Sequence, residues 1–509
     1  MNQNLALEVM LSGESVLLTG PAGTGKTFVL NNFIQHAKAG GKHVSVTATT
    51  GLASTHLGGN TIHSWSGIGI SDTLPSGFAE NVSKARREVI EKTDVLLIDE
   101  ISMLHDFRLD MIDEACRLVR RRDEPFGGIQ VIMSGDFFQL PPVNRSGSRG
   151  GGFVVGSDSW RELDPTILYL SDQYRQDQGD LLGILDALRS GDIRRHHAEA
   201  LLNRSEVEPP DDNITELHTV NIDVDSLNAK RLSQLESEEM VYSQVTTGAK
   251  NYVQSLQRSV LVPPNLVLKR GALVMAVKNS PTRIYVNGSV GVVVDFEPGT
   301  GYPVVEFKNG KTVSVTPESW ELRDGEKKRA SITQVPLRLA WAITVHKSQG
   351  MTLDAAKIDL RKAFVPGMGY VALSRVRSLE NLYLYGINRT ALEVSGDALE
   401  IDKVLRNKAD DDYRKFAHLQ ESAEKRAKEI IDLKSRGRLS GSSWSEKLAR
   451  MRKTHPNAYR AWSSQDDATL KQRFLNGHNV EDIAKELGRH EGSILKRIEK
   501  HFGEGGVVT

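Results

Sequence analysis

The feature that most constrains this chain is the eight-residue segment GPAGTGKT, which spans residues 20–27. It fits the pattern G-x-x-x-x-G-K-[ST], follows the apolar run SVLLT and precedes an apolar pattern of helical period. In that context backbone N–H groups curl around phosphates, a lysine reaches the β- and γ-phosphates, and a hydroxyl binds Mg²⁺. The sequence therefore predicts a nucleoside triphosphate site, with phosphates at Gly20, Gly23, Gly25 and Lys26 and the metal at Thr27.

Composition limits the class of protein. The chain has 509 residues, 39% hydrophobic and 26% charged, which is ordinary for a soluble globular protein, and predicts roughly three to five domains. No apolar run approaches the ~18 residues of a membrane span, and the N-terminus lacks a secretory pattern. We therefore expect a cytoplasmic protein, in a bacterial or phage-like context, or one that is otherwise intracellular, with no membrane partner. The single cysteine, Cys116, excludes a disulfide within the chain.

The distribution of charge points to a polyanionic partner. The formal net charge is zero, but residues 403–460 carry sixteen Lys or Arg against eight Asp or Glu, a difference of +8. This basic segment, rather than the overall balance, predicts contact with nucleic acid. A solvated helical face is the alternative explanation for such a run of charge.

Two adjacent acids follow a buried-strand pattern in DVLLIDEISML, residues 94–104. A strand that ends in this way delivers both carboxylates to the nucleotide edge of a parallel sheet. Asp99 is then expected to bind Mg²⁺, and Glu100 to activate the attacking water. A helix N-cap is the alternative role for Asp99.

Two glutamines stand where they could contact a nucleotide. Gln139 follows a third predicted strand in IQVIMSGDFFQLPPV, residues 129–143, where an amide can detect the γ-phosphate. Gln3 lies just before the first amphipathic pattern, and its side-chain amide could donate to adenine and accept from it. The alternative for Gln3 is an ordinary solvent-facing side chain.

Polar and aromatic side chains follow the second predicted strand. The segments TATTGLAS and TIHSWSG place Thr47, Thr49, His63 and Trp65 near the carboxyl edge of the predicted sheet, where ligands bind. Hydroxyls suit phosphate oxygens, and an indole suits a stacked base. For Trp65 a place in the core is an equally good expectation, since tryptophan is usually buried.

These segments occur in a recognisable order with several others. GPAGTGKT, TATTGLAS, LLIDEISML and GGIQVIMSGDFFQLPPV are followed by DQYRQ (172–176), WAITVHKSQGMTLD (341–354) and YVALSRVRS (370–378). In this arrangement the chain resembles the PIF (petite integration frequency) family of superfamily 1B DNA helicases, which are related to the RecD-like enzymes. The resemblance covers about residues 1–400, and FFQLPPV and HKSQG are its most specific strings.

The resemblance implies a role for each matched residue. The catalytic residues would be Lys26, Glu100, Gln139, Arg175 and Arg375, the two arginines acting as fingers from the second motor domain. ATP would be held by Gln3, Gly20, Gly23, Gly25, Lys26, Thr27, Arg175 and Arg375, with Mg²⁺ on Thr27 and Asp99. Positions matched to DNA contact or coupling are Thr47, Thr49, His63, Thr344, His346 and Lys347. An arginine without such a context would more often form a surface ion pair.

The fold implied is α/β, with two RecA-like P-loop motor domains, a small inserted β-barrel and a helical C-terminal tail. Period-two patterns with Asn-Gly turns predict the barrel, which could be a scaffold without DNA contact. The predicted limits are 1–165 for the first motor domain, with a short strand-separating pin at about 67–86; 166–259 and 331–400 for the second; 260–330 for the barrel; 401–454 for a basic helical linker; and 455–503 for a helix-turn-helix-like module.

The tail resembles a Myb- or SANT-like helix-turn-helix, in which a third helix at about residues 491–501 would face DNA. Its candidate contacts are Arg489, His490, Ser493, Lys496, Arg497 and Lys500. Helical spacing predicts a separate core of Trp462, Leu470, Phe474, Ile483, Leu487, Ile494 and Ile498. Residues 461–509 hold seven basic and eight acidic side chains, so a protein partner is the alternative to DNA.

The predicted activity is that of an ATP-dependent DNA helicase. ATP and Mg²⁺ are the expected cofactors, single-stranded and forked DNA the expected partners, and the chain is expected to be monomeric without DNA. Movement from 5′ to 3′ follows from the resemblance alone. The short pin leaves open a DNA-stimulated ATPase that remodels without separating strands. A third possibility is the motor of a recombination nuclease complex, which would need a partner protein because no nuclease constellation is visible in the sequence.

Overall fold

The computed structural model describes residues 1–57, 59–69, 72–144, 149–176, 179–210, 213–220, 224–280, 284–324, 327–426, 455–457 and 462–502. Within these ranges the chain forms two α/β lobes, an inserted group of antiparallel sheets and a C-terminal group of three helices. The described part of the chain has no helix long and apolar enough to cross a membrane.

The first lobe is built on a parallel sheet of six strands in the order β3-β2-β4-β5-β1-β6. Its strands are β1 (Val16–Thr19), β2 (Val44–Ala48), β3 (Asn60–Thr61), β4 (Val95–Asp99), β5 (Gln130–Ser134) and β6 (Thr166–Tyr169). Its helices are α1 (Gln3–Leu11), α2 (Lys26–Ala39), α3 (Gly51–His56), α4 (Ile62–Ser66), α5 (Phe78–Asn81), α6 (Lys84–Lys92), α7 (Asp106–Arg120) and α8 (Asp158–Leu163).

Both faces of this sheet are buried, as the continuous apolar runs of its strands require. Along β1, Leu17 packs into one hydrophobic cluster, whereas Val16 and Leu18 pack into another. Along β4 the same alternation assigns Leu96 to the first cluster and Leu97 to the second. Helices therefore cover the sheet on two sides, and the carboxyl ends of its strands remain open for a ligand.

The second lobe has a parallel sheet of four strands in the order β18-β7-β19-β20. The elements from here to the end of the insert are α9 (Asp180–Ser190), α10 (Arg195–Asn203), β7 (Thr215–His218), α11 (Val224–Ser233), β8 (Met240–Ser243), β9 (Val245–Gly248), α12 (Lys250–Ser259), β10 (Asn265–Leu268), β11 (Leu273–Ala276), β12 (Val290–Phe296), β13 (Pro303–Phe307), β14 (Thr312–Ser314), β15 (Glu318–Asp324), β16 (Lys327–Gln334) and β17 (Leu337–Leu339). The chain then completes the lobe with β18 (Ala342–Thr344), β19 (Ala356–Leu360), α13 (Met368–Leu373) and β20 (Leu382–Ile387), and α14 (Gly396–Phe416) follows it.

The insert differs from the predicted barrel. Its larger sheet has the open order β14-β13-β12-β11-β17, and no pairing joins β14 to β17 within the described residues. The hairpin of β15 and β16, which a barrel would use for closure, pairs instead with β9 in a separate three-stranded sheet. The barrel prediction was therefore wrong in closure, and the limits 260–330 were too narrow because β9 and β17 lie outside them.

The segment predicted to hold a pin, residues 67–86, has no strand among its described residues. Instead, it is anchored to the first lobe. Arg108 of α7 pairs with Asp72 at 3.1 Å, and the side chain of Phe78 lies in the core. Its role as a strand-separating pin stays a prediction.

The first lobe extends beyond the predicted boundary at residue 165. Strand β6 begins at Thr166 and pairs with β1 over its whole length, so it belongs to the first sheet. Helix α14, which follows the second lobe in sequence, packs against β6. The backbone N–H of Ile167 donates to Asp412 Oδ2 at 2.7 Å, so a helix carboxylate satisfies a donor of this edge strand.

The C-terminal continuation of α14 adds to this contact. Phe416 and Ala423 belong to the hydrophobic cluster that contains helix α1, and Arg426 pairs with Glu8. Residues 401–426 are therefore a strap between the two lobes rather than the first half of a solvated linker. The other half of that predicted linker, 427–454, lies outside the described residues.

The tail forms the three predicted helices, α15 (Ser464–Leu475), α16 (Val480–Leu487) and α17 (Glu491–Phe502). All seven predicted core residues belong to its separate hydrophobic cluster. One of the predicted DNA contacts is wrong, however. Arg489 is buried, lies 4.4 Å from the Trp462 ring and pairs with Asp466 at 2.9 Å, so its guanidinium serves the module's own packing. Arg497 is partly buried and donates to Asp467 at 2.7 and 2.6 Å, and its contact with DNA stays a prediction.

Truncation at two points tests the strap. A chain that ends after residue 402 loses Asp412 and Phe416, which removes the partner of the Ile167 N–H and exposes apolar surface on the first lobe. We expect a clear fall in its thermal unfolding midpoint. A chain that ends after residue 426 keeps the strap and serves as the matched control, with the midpoint of the full chain. Equal midpoints for the two truncations would contradict the strap.

Candidate active site

The P-loop joins β1 to α2, and hydrogen bonds to its carbonyl groups fix its conformation. The Lys26 Nζ donates to the carbonyls of Gly20 at 2.8 Å and Pro21 at 3.0 Å. Gly25 has a φ of 81°, and a Cβ at this position would lie 2.1 Å from Gln3 Nε2. The same Gln3 nitrogen donates to the carbonyl of Thr24 at 2.9 Å. The first helix thus places the predicted adenine contact directly on the loop.

The two predicted acids lie at the carboxyl end of β4, beside the loop. Asp99 ends the strand, and Glu100 follows it in the left-handed region, with a φ of 54°. Burial raises the pKa of Asp99, and burial together with the Asp99 charge raises the pKa of Glu100 to about 7. Burial also lowers the pKa of Lys26, against the attraction of Asp136. The carboxylates and the ammonium therefore form one cluster of mutually dependent charges.

A cleft between the lobes brings most of the predicted nucleotide residues together. Its walls include Gly23, Gly25, Lys26, Thr27, Asp99, Glu100, Gln139, Arg175 and Arg375. Gly20 begins the loop and accepts from Lys26, and Gln3 lies behind the loop and donates to Thr24. Thr27 is exposed at the first turn of α2. These residues come from six separate segments of the sequence.

Gln349 of the second lobe crosses this cleft. Its Nε2 donates to Glu100 Oε2 at 3.0 Å and to Gln139 Oε1 at 3.2 Å. Gln139 is in turn within 3.5 Å of Asp136 Oδ2. An amide from one lobe thus contacts both the predicted base and the predicted phosphate sensor on the other. Sequence reasoning missed Gln349, although it stands inside the quoted HKSQG string.

The two predicted arginine fingers lie at the cleft, but their guanidiniums contact the second lobe. Arg175 donates to the carbonyl of Ser374 at 3.3 Å. Arg375 is buried and donates to the carbonyls of Val371 at 2.7 Å and Met351 at 3.2 Å. Burial and the charge of Arg175 lower the pKa of Arg375 to about 9, because two cations are enclosed together.

A buried polar network behind the cleft was not predicted. Arg189 of α9 donates to Asp136 Oδ1 at 2.6 Å and to the Tyr370 hydroxyl at 3.1 Å. The Tyr370 hydroxyl donates to Asp136 Oδ2 at 3.0 Å and accepts from the N–H of Ala22 in the P-loop at 2.9 Å. Burial opposes the charge of Asp136, yet Arg189 and Lys26 hold the pKa of this carboxyl below its usual range. Asp136 and Tyr370 stand inside quoted motifs, whereas no local signal marks Arg189.

The predicted DNA contacts of the first lobe face inward. Thr47 is fully buried, and its hydroxyl donates to the carbonyl of Leu97 at 2.6 Å. Thr49 donates to the carbonyl of Glu100 at 2.9 Å, which fits the coupling role rather than DNA contact. Trp65 packs in the hydrophobic core, so the stacking prediction was wrong and the core alternative is confirmed.

His63 and the three predicted contacts of the second lobe differ in exposure. Burial lowers the pKa of His63 to about 4, helped by Arg108 and His105, so its imidazole carries no charge for a phosphate. Thr344 is buried and accepts from the N–H of Lys347 at 3.3 Å. His346 and Lys347 follow β18 at the carboxyl edge of the sheet and are half-buried. The His346 ring lies parallel to the exposed ring of Phe364, with centroids 6.5 Å apart.

The fold and the cleft define a P-loop protein with two RecA-like lobes. The family model described as PIF1-like helicase matches residues 3–184. The chain is 37% identical to the ATP-dependent DNA helicase Pif1 of Psychrobacter sp. (strain PRwf-1), over 86% of this chain and 76% of that protein. The chain therefore belongs to the PIF1-like helicase family.

Solved structures of the same family are similar over most of the chain. The Bacteroides sp Pif1 in complex with ADP-AlF4 is 31% identical, covers 80% of this chain and 96% of that one, and has a TM-score of 0.69. The Bacteroides Pif1 in complex with ADP-AlF3 and single-stranded DNA is 32% identical, covers 79% and 97%, and has a TM-score of 0.57.

Removal of one hydroxyl tests the network behind the cleft. Tyr370→Phe keeps the ring but leaves the Ala22 N–H and one oxygen of Asp136 without their partner. We expect the first lobe to lose about 1–3 kcal/mol in the free energy of unfolding, measured in urea. Tyr413→Phe removes a hydroxyl from a side chain that is 46% exposed and should change little. Equal losses in the two variants would argue against the network.

Proposed function

We propose that the chain is an ATP-dependent DNA helicase that moves 5′ to 3′ on single-stranded DNA and unwinds duplex or structured DNA. The Psychrobacter relative named above is described as an ATP-dependent DNA helicase, which supports the general activity. The direction of movement rests on family resemblance. One observation of the chain itself supports the coupling of hydrolysis to movement. Gln349 of the second lobe contacts Glu100 and Gln139 of the first, so a change in the cleft must alter the surroundings of the reacting groups.

The residues of the cleft fit ATP with Mg²⁺. Lys26 and the N–H groups at the start of α2 would hold the β- and γ-phosphates, and Gln3 would read adenine. Among the described residues no cluster of three His, Cys, Asp or Glu could hold a metal by itself. Mg²⁺ commonly uses one or two protein oxygens together with phosphates and water, which Thr27 and Asp99 could supply.

The remaining roles follow from position. Glu100 would accept the proton of the attacking water, and Gln139 would report the γ-phosphate to Gln349. Arg175 and Arg375 would have to leave their carbonyl partners on the second lobe to reach the nucleotide. Such a movement would make hydrolysis depend on closure of the cleft, because an arginine finger is worth roughly a thousandfold in rate.

Two substitutions test the assigned chemistry. Lys26→Ala should abolish ATP hydrolysis and weaken ATP binding, since it removes the cation that faces the phosphates. Glu100→Gln should keep ATP and DNA binding but stop turnover, since an amide cannot accept the proton. The measurements are steady-state hydrolysis and equilibrium nucleotide binding. Turnover by Glu100→Gln near the rate of the unaltered chain would refute its role as base.

Strand displacement tests polarity and unwinding together. Duplexes with a 5′ or a 3′ single-stranded tail, incubated with ATP and Mg²⁺, should be separated only when the tail is 5′. Glu100→Gln serves as the matched control and should separate neither. Displacement from the 3′ tail would reverse the proposed direction.

A second function is favoured by the form of residues 67–86. This segment has no described strand and is fixed to α7, so it offers less of a wedge than a free hairpin would. DNA-stimulated hydrolysis without displacement of either substrate would identify a remodelling ATPase instead of a helicase.

A further inference from the structure

The buried network behind the cleft continues outward to helix α14. Arg189 binds Asp136 and Tyr370 through its Nη1, as described above. Its Nη2 donates to the Tyr169 hydroxyl at 2.9 Å and to Asp402 Oδ1 at 3.4 Å. Tyr169 ends strand β6 of the first lobe, and Asp402 lies in α14. The guanidinium is therefore held from two sides, and one of them belongs to the strap.

Asp402 is the outer anchor of this arm of the network. Its side chain is only 15% exposed, and both of its oxygens are bonded. Oδ1 accepts from the Tyr169 hydroxyl at 2.7 Å, and Oδ2 accepts from Arg406 Nε, one turn further along α14, at 2.6 Å. Burial raises the pKa of Tyr169, so its hydroxyl stays protonated and can donate to the carboxylate. Asp402 is thus fixed between the strap and the first lobe.

Charges of opposite sign alternate along this line, which leads from α14 to the P-loop. Its members, from the outside inward, are Arg406, Asp402, Arg189, Asp136 and Lys26. Burial acts to lower the pKa of Arg189, but Asp136 and Asp402 are among the groups that raise it. The pKa of Lys26 is lowered by burial, raised by Asp136 and lowered again by Arg189. Without the Asp402 charge, Arg189 would draw more fully on Asp136, which would then balance Lys26 less well.

We propose that Asp402 is a positioning residue for ATP hydrolysis. Directly and through Tyr169, it fixes the Arg189 guanidinium, which in turn fixes the groups that hold the P-loop at Ala22. Asp402 lies outside the walls of the cleft and acts only through these contacts. The proposal deepens the proposed function and rests on the role given there to Lys26. No quoted motif marks Asp402, which lies just beyond the range of about 1–400 over which the sequence resembles helicases.

The test compares four variants of the full chain. Asp402→Asn removes the charge but keeps the size of the side chain, and Tyr169→Phe removes only the bridging hydroxyl. The third variant combines the two changes. Asp411→Asn is the matched control, since Asp411 lies on the same helix but is 78% exposed and pairs with Arg414. Steady-state ATP hydrolysis with saturating oligothymidylate gives kcat and KM, and the stoichiometry of ADP binding gives the concentration of intact sites. The thermal midpoint of each variant is measured as well.

Asp402→Asn should lower kcat per intact site about tenfold, because a displaced P-loop costs more in the transition state than in bound ATP. KM should change by less than about twofold, since Asp402 does not contact the nucleotide. Tyr169→Phe should lower kcat in the same way. The combined variant should lose less than the product of the two separate losses, because both changes act through Arg189. Asp411→Asn should match the unaltered chain.

A merely structural role would give a different result. It would lower the thermal midpoint and the number of intact sites but leave kcat per intact site unchanged, and that outcome would overturn the proposal. Losses from Asp402→Asn and Tyr169→Phe that multiply independently would overturn it too. If Asp402→Asn does not fold, Tyr169→Phe decides alone, and an unchanged kcat per site would count against the proposal. Failure of the unaltered chain to hydrolyse ATP with DNA present would instead reject the proposed function, so the two failures are distinguishable.

Discussion

The contact between the two lobes depends on the buried ion pair of Asp136 and Arg189. An ion pair in a low-dielectric interior is costly unless its remaining hydrogen-bonding capacity is satisfied, and here Tyr370 supplies that capacity. The same hydroxyl reaches the P-loop at Ala22. The network thus holds the second lobe against the loop that would receive phosphates, and it keeps Gln349 within reach of Glu100.

A second connection lies on the far side of the first sheet. Strand β6 would be an exposed edge with free donors, but α14 covers it and Asp412 accepts from its backbone. This helix begins where the second lobe ends. The two lobes are therefore connected at two places, by the hydrogen-bond network at the cleft and by α14 at the outer edge of the first sheet.

Contacts converge on the main chain and side chain of Glu100 from two directions. Thr49, after β2, donates to its carbonyl, and Gln349, two residues after Lys347, donates to its carboxylate. Both segments follow strands at the carboxyl edges of the two sheets, the edges at which ligands bind. The surroundings of the Glu100 carboxyl therefore depend on both lobes, and its burial in this position, with the charge of Asp99, raises its pKa to about 7.

The sequence by itself determined the parts of this protein whose signals are local. The P-loop, the strand that ends in Asp99 and Glu100, and the three-helix tail follow from residue spacing and apolar period, whereas the two α/β lobes follow from the resemblance to a helicase family. The structure also brings most of the predicted nucleotide residues to one cleft. What depends on partners distant in the chain was decided only by the tertiary structure. Thr47 and Trp65 look like surface ligands in sequence, but neighbouring strands and helices bury them. In the same way, β9 rather than the rest of a barrel takes up the last hairpin of the insert, and a carboxylate 245 residues away in sequence covers β6. Hydrogen-bond satisfaction and burial are properties of the assembled chain, and no local pattern records which distant group will provide them.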